Sequence, residues 1–339
     1  MSSVVTIKDV AKRAGVSIAT VSRIINGADN VGEQYRIAVR KAIEELEYQP
    51  NVVAQSMKKR AFRTIGVIMS DFSVPFFEKI LKKIEKAYRK KGNLVLFVNT
   101  YDDPEIEKNG IQFMVEKQAD ILIISSTGVN EDYLFRLQDS GIDIILIDRR
   151  SKNHLFPSVY VDKRAGMYQV LEYLTKMGHK EIVVISGSRQ LTTNYDRYSG
   201  ASDFFYENSL DPNMVRYFFG SYSEEYGYSV MEELIQNEKL PSVIFVGSIV
   251  LAVGVILCCK EHHIRIPEEL SLMSSGDFAL GRLIEPRLTY VYDGAEEIGQ
   301  YLVEMIQASF EKRLEKRSTV LRPQLILNQS VRDLTKGEV

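Results

Sequence analysis

The sequence predicts an α/β protein in which a small helical head precedes a larger body built on parallel sheets. From Thr64 onward, short β-branched runs alternate with longer helical segments, which is typical of parallel sheets covered by helices on both faces. Ahead of Thr64 the apolar pattern is helical throughout. The length of 339 residues exceeds one average domain, so we expect two or three domains.

The head begins with two short helices joined at Gly15. The first carries an apolar stripe at helical spacing, formed by Ile7, Val10, Ala11 and Ala14. Gly15 provides the turn, and Ser17 is a suitable N-cap for the second helix. The second helix turns one set of side chains inward, namely Val21, Ile24 and Ile25, and leaves another outward, namely Ile18, Ala19, Ser22 and Arg23. With a third helix over 32–46, this is the plan of a helix-turn-helix domain, although an ordinary helical hairpin has the same spacing.

Strands and helices alternate along the body. Nine strands are predicted, near 65–69, 94–99, 121–125, 144–147, 159–161, 182–186, 215–219, 243–246 and 270–273. Helices are predicted between them, for example over 75–90, 105–117, 163–177, 224–236 and 295–312. Nine strands fit two doubly wound subdomains better than one sheet, and a cleft at the carboxyl ends of such strands is the expected ligand site. The apolar run 243–259 is interrupted by glycine and is predicted as a strand followed by a buried helix rather than a membrane span.

Charge is distributed unevenly along the chain. Residues 1–63 contain 11 Lys/Arg and 6 Asp/Glu, whereas the whole chain has a net charge of -2. A basic head on an acidic body indicates a local contact with a polyanion. The two cysteines, Cys258 and Cys259, are adjacent and form no disulfide framework, so we expect a reducing compartment. No cleavable export signal precedes the first helix, and a cytoplasmic protein is expected.

Catalytic and metal-binding patterns are missing from the sequence. It contains no nucleophile elbow, no zinc-protease motif and no phosphate-binding P-loop. The four histidines are scattered, and two neighbouring cysteines are not a zinc pattern. We therefore expect no cofactor, no metal and no enzymatic activity. An enzyme with a DNA-binding head and a solute-binding protein are the less favoured alternatives.

Three motifs of the head stand in register with a known signature: Asp9-Val-Ala, Ala14-Gly-Val-Ser and Thr20-Val-Ser-Arg. This stretch resembles the N-terminal signature of the LacI-GalR family of bacterial repressors, and the resemblance continues more loosely along nearly the whole chain. It implies a helix-turn-helix domain over 1–50 and a hinge helix with its linker over 51–63. It also implies a periplasmic-binding-protein-like core whose chain crosses three times between two subdomains, over 64–162 with 294–320 and over 163–293 with 321–332, followed by a tail over 333–339.

The resemblance implies a homodimer that binds a palindromic DNA operator and represses transcription. Base readout is expected from Ile18, Ala19, Ser22 and Arg23 at the start of the second helix. Of these, Arg23 alone can fork onto guanine, which is worth about 1–3 kcal/mol of discrimination, or it contacts phosphate or a neighbouring acid instead. Phosphate contacts are expected from Thr6, Lys8, Ser17, Thr20, Ser22 and Asn26. The hinge segment adds Asn51, Ala54, Met57 and Lys58; Met57 stands in register with the family's minor-groove wedge, or packs against its twin.

The effector cleft implied by the family departs from the family pattern in three places. Where the family often has Asn-Pro-Phe-Phe, this chain has Val74-Pro75-Phe76-Phe77. The family's Asn-Asp is replaced by Ser248-Ile249, and its Gly-Phe-Asp-Asp is replaced by Ser274-Ser275-Gly276-Asp277. The candidate effector-binding residues are Phe76, Phe77, Asp148, Arg149, Arg197, Ser248 and Asp277. Core packing is the alternative for the two phenylalanines. For Arg197 the alternative is an ion pair with Asp148 or Asp277.

Losing these polar groups leaves a cleft that is more apolar and relatively rich in arginine, with Arg149, Arg150 and Arg197. We therefore expect an atypical, anionic effector such as a sugar acid or a phosphorylated sugar. The alternative is a protein corepressor, as in the catabolite control protein branch of the family. The same loss makes one helix surface unusually apolar, at Ile249, Leu251, Val255 and Ile256, and we expect this surface to be buried in the dimer interface.

Overall fold

The computed structural model describes residues 5–25, 31–46, 48, 62–152, 156–237, 240–276 and 285–336. The chain divides into two compact units, Met1–Phe62 and Arg63–Val339. The smaller unit contains the basic head, and the larger contains the α/β body. The elements below are those of the described residues.

The head consists of three helices: α1 (Ile7–Ala14), α2 (Ile18–Ile25) and α3 (Glu33–Glu45). They pack around a small apolar core formed by Val10, Ala11, Val21, Val39 and Ala42. Gly15 ends α1 in the left-handed region, with φ of 64°, and so turns the chain toward α2. The helix-turn-helix plan predicted from the sequence is confirmed.

The first sheet of the body is parallel throughout, in the order β11-β5-β4-β3-β1-β2. Its strands are β1 (Thr64–Met69), β2 (Leu94–Asn99), β3 (Ile121–Ile124), β4 (Asp143–Ile147), β5 (Ser158–Val161) and β11 (Ser318–Leu321). Its helices are α4 (Pro75–Tyr88), α5 (Pro104–Glu116), α6 (Glu131–Asp139) and α11 (Ala295–Phe310). A 3₁₀ turn, Arg89–Lys91, follows α4. Strand β3 is buried at every position, and β1, β4 and β5 are buried at all positions but one, as helices on both faces require.

The second sheet has the order β12-β10-β9-β8-β6-β7, and only the pair β10 and β12 is antiparallel. Its strands are β6 (Ile182–Gly187), β7 (Val215–Gly220), β8 (Val243–Val246), β9 (Ser271–Ser275), β10 (Thr289–Tyr292) and β12 (Gln324–Ile326). Its helices are α7 (Lys163–Lys176), α8 (Thr192–Asn208), α9 (Glu224–Gln236) and α10 (Ile249–Glu261), and a 3₁₀ turn, Pro212–Met214, precedes β7. The chain crosses between the sheets three times, after β5, after β10 and after β11. The predicted fold class is confirmed.

All nine predicted strands are present, and three further strands were missed: β10, β11 and β12. They contain only three or four residues each, and β11 and β12 are edge strands with partly exposed side chains. A short, half-exposed strand carries too few apolar residues to show a period.

The four apolar side chains of α10 that the sequence assigns to a dimer interface are buried within the monomer. Ile249, Leu251, Val255 and Ile256 all lie in an apolar core cluster of the second sheet. Glycine lets α9 approach α10 closely, because a Cβ atom at Gly254 would lie 2.0 Å from the carbonyl oxygen of Glu224. The prediction that these four side chains form a dimer interface is therefore wrong. The run 243–259 is strand β8 followed by α10, and no helix among the described residues is long and apolar enough to cross a membrane.

Candidate functional sites

The start of α2 presents the side chains predicted to read DNA. Ile18 is 45% exposed, Ala19 and Arg23 are exposed, and Ser22 is half-buried. Arg23 has no ion pair or hydrogen bond among the described residues, so the predicted alternative of a neighbouring acid finds no support there. Its guanidinium is available for a base edge or a phosphate. Lys8 is likewise exposed, on α1.

Two pairs of polar side chains cap the helices of the head. At α1 the backbone N–H and the hydroxyl of Thr6 both donate to the Asp9 carboxylate, at 2.8 and 2.6 Å. These hydrogen bonds hold the pKa of Asp9 below its usual value. At α2 the Thr20 N–H donates to the Ser17 hydroxyl at 3.1 Å, and the two hydroxyls share one hydrogen bond of 2.8 Å. The Thr6 hydroxyl donates its only proton in the hydrogen bond to Asp9, so it cannot donate to phosphate at the same time. Ser17 and Thr20 use one of their two hydroxyl protons between them, and the other can be donated to phosphate.

Several predicted residues fall outside the part of the chain that the structure describes. They are Asn26, Asn51, Ala54, Met57 and Lys58 for DNA binding, and Asp277 for the effector.

The body encloses a cavity of about 270 Å³ at the carboxyl ends of the strands of both sheets. Six of the seven predicted effector residues line it: Phe76, Phe77, Asp148, Arg149, Arg197 and Ser248. The positions that depart from the family pattern also line it, at Val74, Ile249 and Gly276. Residues that the sequence did not single out include Asp102, Lys163, Tyr222 and Asp293. Asp102, Tyr222 and Asp293 follow β2, β7 and β10 by one to three residues, so their place after a strand was the signal that could have found them.

Arg149 is buried in an ion pair on the wall formed by the first sheet. Its two terminal nitrogens donate to the Asp102 carboxylate at 2.6 and 3.0 Å, and one also reaches the Ser126 carbonyl oxygen. Burial alone would lower the pKa of Arg149, but the carboxylates of Asp102 and Asp148 together outweigh it, and the pKa lies above the ordinary value. Its Nε atom is buried without a hydrogen-bond partner. Most of the positive charge of Arg149 is therefore neutralised within the protein.

Arg197 anchors a hydrogen-bond network on the opposite wall. Its terminal nitrogens donate to Asn194 Oδ1 at 2.9 Å, the Tyr222 hydroxyl at 3.0 Å, the Gly247 carbonyl at 3.1 Å and Ser275 Oγ at 3.2 Å. The Tyr222 hydroxyl in turn donates to Asn194 Oδ1 at 2.7 Å. Burial would raise the pKa of Tyr222, but the charges of Arg197 and Arg149 and a hydrogen bond with Ser186 together outweigh it, and the pKa is lowered.

Asp148 pairs with a residue other than the one predicted. Lys163, the first residue of α7, lies 3.2 Å from its carboxylate, so an ion pair between Arg197 and Asp148 is not formed. Burial would raise the pKa of Asp148, but the charges of Lys163, Arg149 and Arg197 together outweigh it, and the pKa is lowered. Asp148 adopts a left-handed backbone with φ of 59°, directly after β4. The ion pair joins the first sheet to the first helix of the second subdomain.

A second ion pair also joins the two subdomains. Arg150, two residues further on, donates to Asp196 on α8 from Nη2 at 2.7 Å and from Nε at 3.3 Å. The backbone N–H of Arg150 donates to the Thr192 hydroxyl at 3.3 Å. The hydrogen bond to Asp196 raises the pKa of Arg150 above its ordinary value. Arg150 therefore holds the cleft together and is not one of the residues lining the cavity.

The positions of Phe76 and Phe77 fit both of the roles predicted for them. Their rings meet edge to face, with centroids 5.0 Å apart, at the start of α4. Both side chains are buried in the core of the first sheet, and both also line the cavity. Packing and an apolar wall for a ligand are therefore compatible functions of the same two rings.

Comparison with known proteins identifies the family. Residues 6–51 match the sequence profile of bacterial regulatory proteins of the lacI family, and residues 171–331 match that of a periplasmic binding protein-like domain. The HTH-type transcriptional repressor PurR of Klebsiella pneumoniae is 30% identical over 331 residues, which cover 97% of this chain and 97% of the relative. The chain belongs to the LacI family of bacterial regulatory proteins.

A further relative and two solved structures agree with this assignment. PurR of Actinobacillus pleuropneumoniae is 29% identical over 98% of this chain and 99% of its own. The lac repressor dimer bound to operator and the anti-inducer ONPF superposes with a TM-score of 0.76 at 22% identity, over 97% of this chain and all of that one, and so supports the fold. The Cra regulator of Pseudomonas putida with fructose 1-phosphate has a TM-score of 0.70 at 26% identity, over 79% of this chain and 99% of its own. This chain is thus a DNA-binding transcriptional repressor of the LacI family, and its relatives are regulators rather than enzymes.

Proposed function

We propose that the protein binds a palindromic operator as a homodimer and that a small effector in the cavity controls this binding. The single observation that supports control is the cavity itself, which lies between two subdomains in the chain that also contains the helix-turn-helix head. An effector that fits one arrangement of the subdomains better than another would shift the population of DNA-binding molecules. Such a repressor works in the cytoplasm, where the operator lies.

Recognition of the operator is assigned to α2. Arg23 reads guanine, Ile18 and Ala19 meet thymine methyl groups, and the remaining proton of Ser17 and Thr20 goes to phosphate. The exposure of Ile18, Ala19 and Arg23 supports this assignment. The hinge contacts of Asn51, Ala54, Met57 and Lys58 belong to the same proposal, on the resemblance alone.

The edge strand β2 provides the surface for the dimer. Leu94 is 52% exposed and Phe97 is 58% exposed on this strand, and Phe113 on the neighbouring helix α5 is 41% exposed. An exposed apolar edge strand is prone to pair with another chain unless something covers it. A second copy of the chain, related by a twofold axis, would cover the same patch on both molecules. This surface replaces the α10 surface expected from the sequence.

The cavity favours an uncharged effector over the anionic one expected from the sequence. Its charged lining residues are four aspartates, Asp71, Asp102, Asp148 and Asp293, against three basic residues, Arg149, Lys163 and Arg197. Arg149 and Lys163 already pair with aspartates, and Arg150 lies outside the lining. Rings at Phe76, Phe77 and Tyr222 and several serine hydroxyls complete the walls. We therefore propose a neutral ring compound with several hydrogen-bonding groups, such as a sugar or a nucleobase.

Selection of binding sites from a random DNA pool tests the proposal, repeated with neutral sugars, nucleobases, sugar phosphates and sugar acids. We expect a palindrome that a neutral ring compound shifts, by release or by tighter binding. Release by sugar phosphates alone would restore the anionic effector. A palindrome that no small molecule affects would favour the protein corepressor. Failure to enrich any sequence would contradict the assignment of α2.

A further inference from the structure

Two helices of the first subdomain begin at the cavity. Helix α4 starts at Pro75, and the next two residues, Phe76 and Phe77, line the cavity. Helix α11 starts at Ala295, whose N–H donates to the carboxylate of Asp293, another lining residue, at 3.1 Å. A change in the cavity therefore acts directly on the first turn of both helices.

The C-terminal ends of both helices lie close to Arg63, the first residue of the body. Tyr88, the last residue of α4, and Phe310, the last of α11, meet edge to face with ring centroids 5.7 Å apart. The guanidinium of Arg63 lies over the ring of Phe310, 5.5 Å from its centroid. Arg63 is the first residue of the larger unit, directly after the chain leaves the smaller one.

Arg63 is fixed on several sides within the body. Its Nη1 atom pairs with Asp120 Oδ1 at 2.7 Å, and its backbone N–H donates to Asn93 Oδ1 at 3.0 Å. The last turn of α11 is also attached to the first sheet, because the Ser309 hydroxyl donates to Oδ2 of Asp143 at 2.5 Å. The place where the linker joins the body therefore follows any movement of α11.

The two helices are tied together along their length. Near the cavity Lys83 pairs with Glu296 at 3.1 Å, and the Tyr88 hydroxyl donates to the Val303 carbonyl at 2.7 Å further along. The 16 residues of α11 span about 24 Å at 1.5 Å per residue. A packed helix pair of this length moves as a rod, so displacement at one end appears at the other.

We propose that α4 and α11 transmit the state of the cleft to the linker, and that Phe310 is the positioning residue at which the signal reaches Arg63. This inference rests on the proposed function, because it concerns how the cleft governs operator binding. Phe310 is not one of the residues that line the cavity, and the proposal assigns it no contact with DNA. Its ring sets the position of Arg63 relative to the end of α4.

The test measures whether a change in the cleft still alters operator affinity when Phe310 is changed. Asp196→Asn removes one of the two ion pairs that join the subdomains, that with Arg150, and so perturbs the cleft without a ligand. The dissociation constant of the full chain is measured by fluorescence anisotropy on the operator duplex selected from the random pool. We expect Asp196→Asn to change this dissociation constant by about fivefold or more, which is the lower end of the range that allosteric coupling commonly produces. In a Phe310→Leu background the change should fall below about twofold.

Two backgrounds serve as controls. Phe310→Tyr keeps the ring and should keep the full response. Tyr133→Leu on α6 removes a ring that also lies beneath a guanidinium, that of Arg136 at 5.7 Å, but α6 does not reach the cavity lining. It should keep the response as well. Arg63→Met removes the same contact from the other side, because it removes the guanidinium that lies over Phe310. It should abolish the effect of Asp196→Asn on operator affinity as Phe310→Leu does.

The outcomes separate this inference from the proposed function. If Asp196→Asn changes operator affinity equally in every background, the helices do not transmit the signal and the inference is overturned. If Asp196→Asn has no effect in the unaltered chain, the cleft does not govern DNA binding, which contradicts the proposed function as well. If Phe310→Leu does not fold, the decision rests on Arg63→Met, because Arg63 is half-buried at the surface and is not one of the buried core residues.

Discussion

Removing the ion pair between Arg150 and Asp196 should open the cleft. The pair joins a residue after β4 of the first sheet to a residue of α8, which covers the second sheet. The two side chains are only 20% and 15% exposed, so solvent screens the pair weakly. In Asp196→Asn the guanidinium loses its charged partner while it remains largely out of water. Opening the cleft is the movement that returns Arg150 to water.

The size of the effect follows from this geometry. A hydrogen bond to a charged group contributes about 1.5–3 kcal/mol, and a partly buried charge that loses its partner lies at the upper part of that range. Part of this loss is recovered by the asparagine, which still accepts one hydrogen bond. A net shift of about 2 kcal/mol would change the ratio of open to closed molecules by about 30-fold.

Small-angle X-ray scattering of the full chain measures the opening as an increase in the radius of gyration. Arg150→Met should have a similar effect, because it breaks the same pair. The double substitution should open the cleft no further than the larger single effect, since both remove one interaction. A scattering profile of Asp196→Asn that equals that of the unaltered chain, or two single effects that add, would refute the reasoning.

Four further predictions follow from single sites. Asp102→Asn should lower the free energy of unfolding by about 3–5 kcal/mol in urea titrations, because it strands the buried charge of Arg149. Arg23→Ala should weaken operator binding by about 1–3 kcal/mol and relax the preference at one base pair in a repeated selection. Phe97→Glu should yield monomers by analytical ultracentrifugation while the thermal unfolding midpoint stays close to that of the unaltered chain. Burial lowers the pKa of His179, so its unfolded form binds a proton more readily; stability is full above pH 6.5 and falls as the pH drops below it, and His179→Gln should flatten this dependence.

Much of the fold could be predicted because buried parallel strands leave a strong signal. The run at 121–124 is apolar at every position and lies in the middle of its sheet, and the run at 243–246 is similar. The edge strands β11 and β12 left no such signal, because only one side of each pairs with a neighbour. The two strands belong to different sheets because the chain crosses between the subdomains after β11. The local pattern of apolar residues does not show where such a crossing occurs.

The partners of charged residues could not be predicted from the sequence. Arg149 pairs with Asp102, 47 residues away, and Arg150 pairs with Asp196, 46 residues away in the other direction. Neither separation shows a period, because each pair forms where two different connections meet at the cleft. The expectation of an anionic effector took account of the arginines but not of the carboxylates that neutralise them. It therefore predicted a positive cavity, whereas the described lining residues contain one more acidic than basic side chain.

One departure from the family pattern is offset by another residue of the cavity. Gly276 stands in register with a family aspartate and has φ of 79°, a backbone conformation that favours glycine. A Cβ atom at this position would lie 2.9 Å from Oδ2 of Asp293, so a side chain at 276 and the carboxylate of Asp293 compete for one place. The cavity therefore keeps an acceptor here, supplied from the end of β10 instead of β9. Selectivity should then depend on Asp293 together with the serine hydroxyls, which both donate and accept hydrogen bonds and so discriminate less sharply than an amide or carboxylate pair.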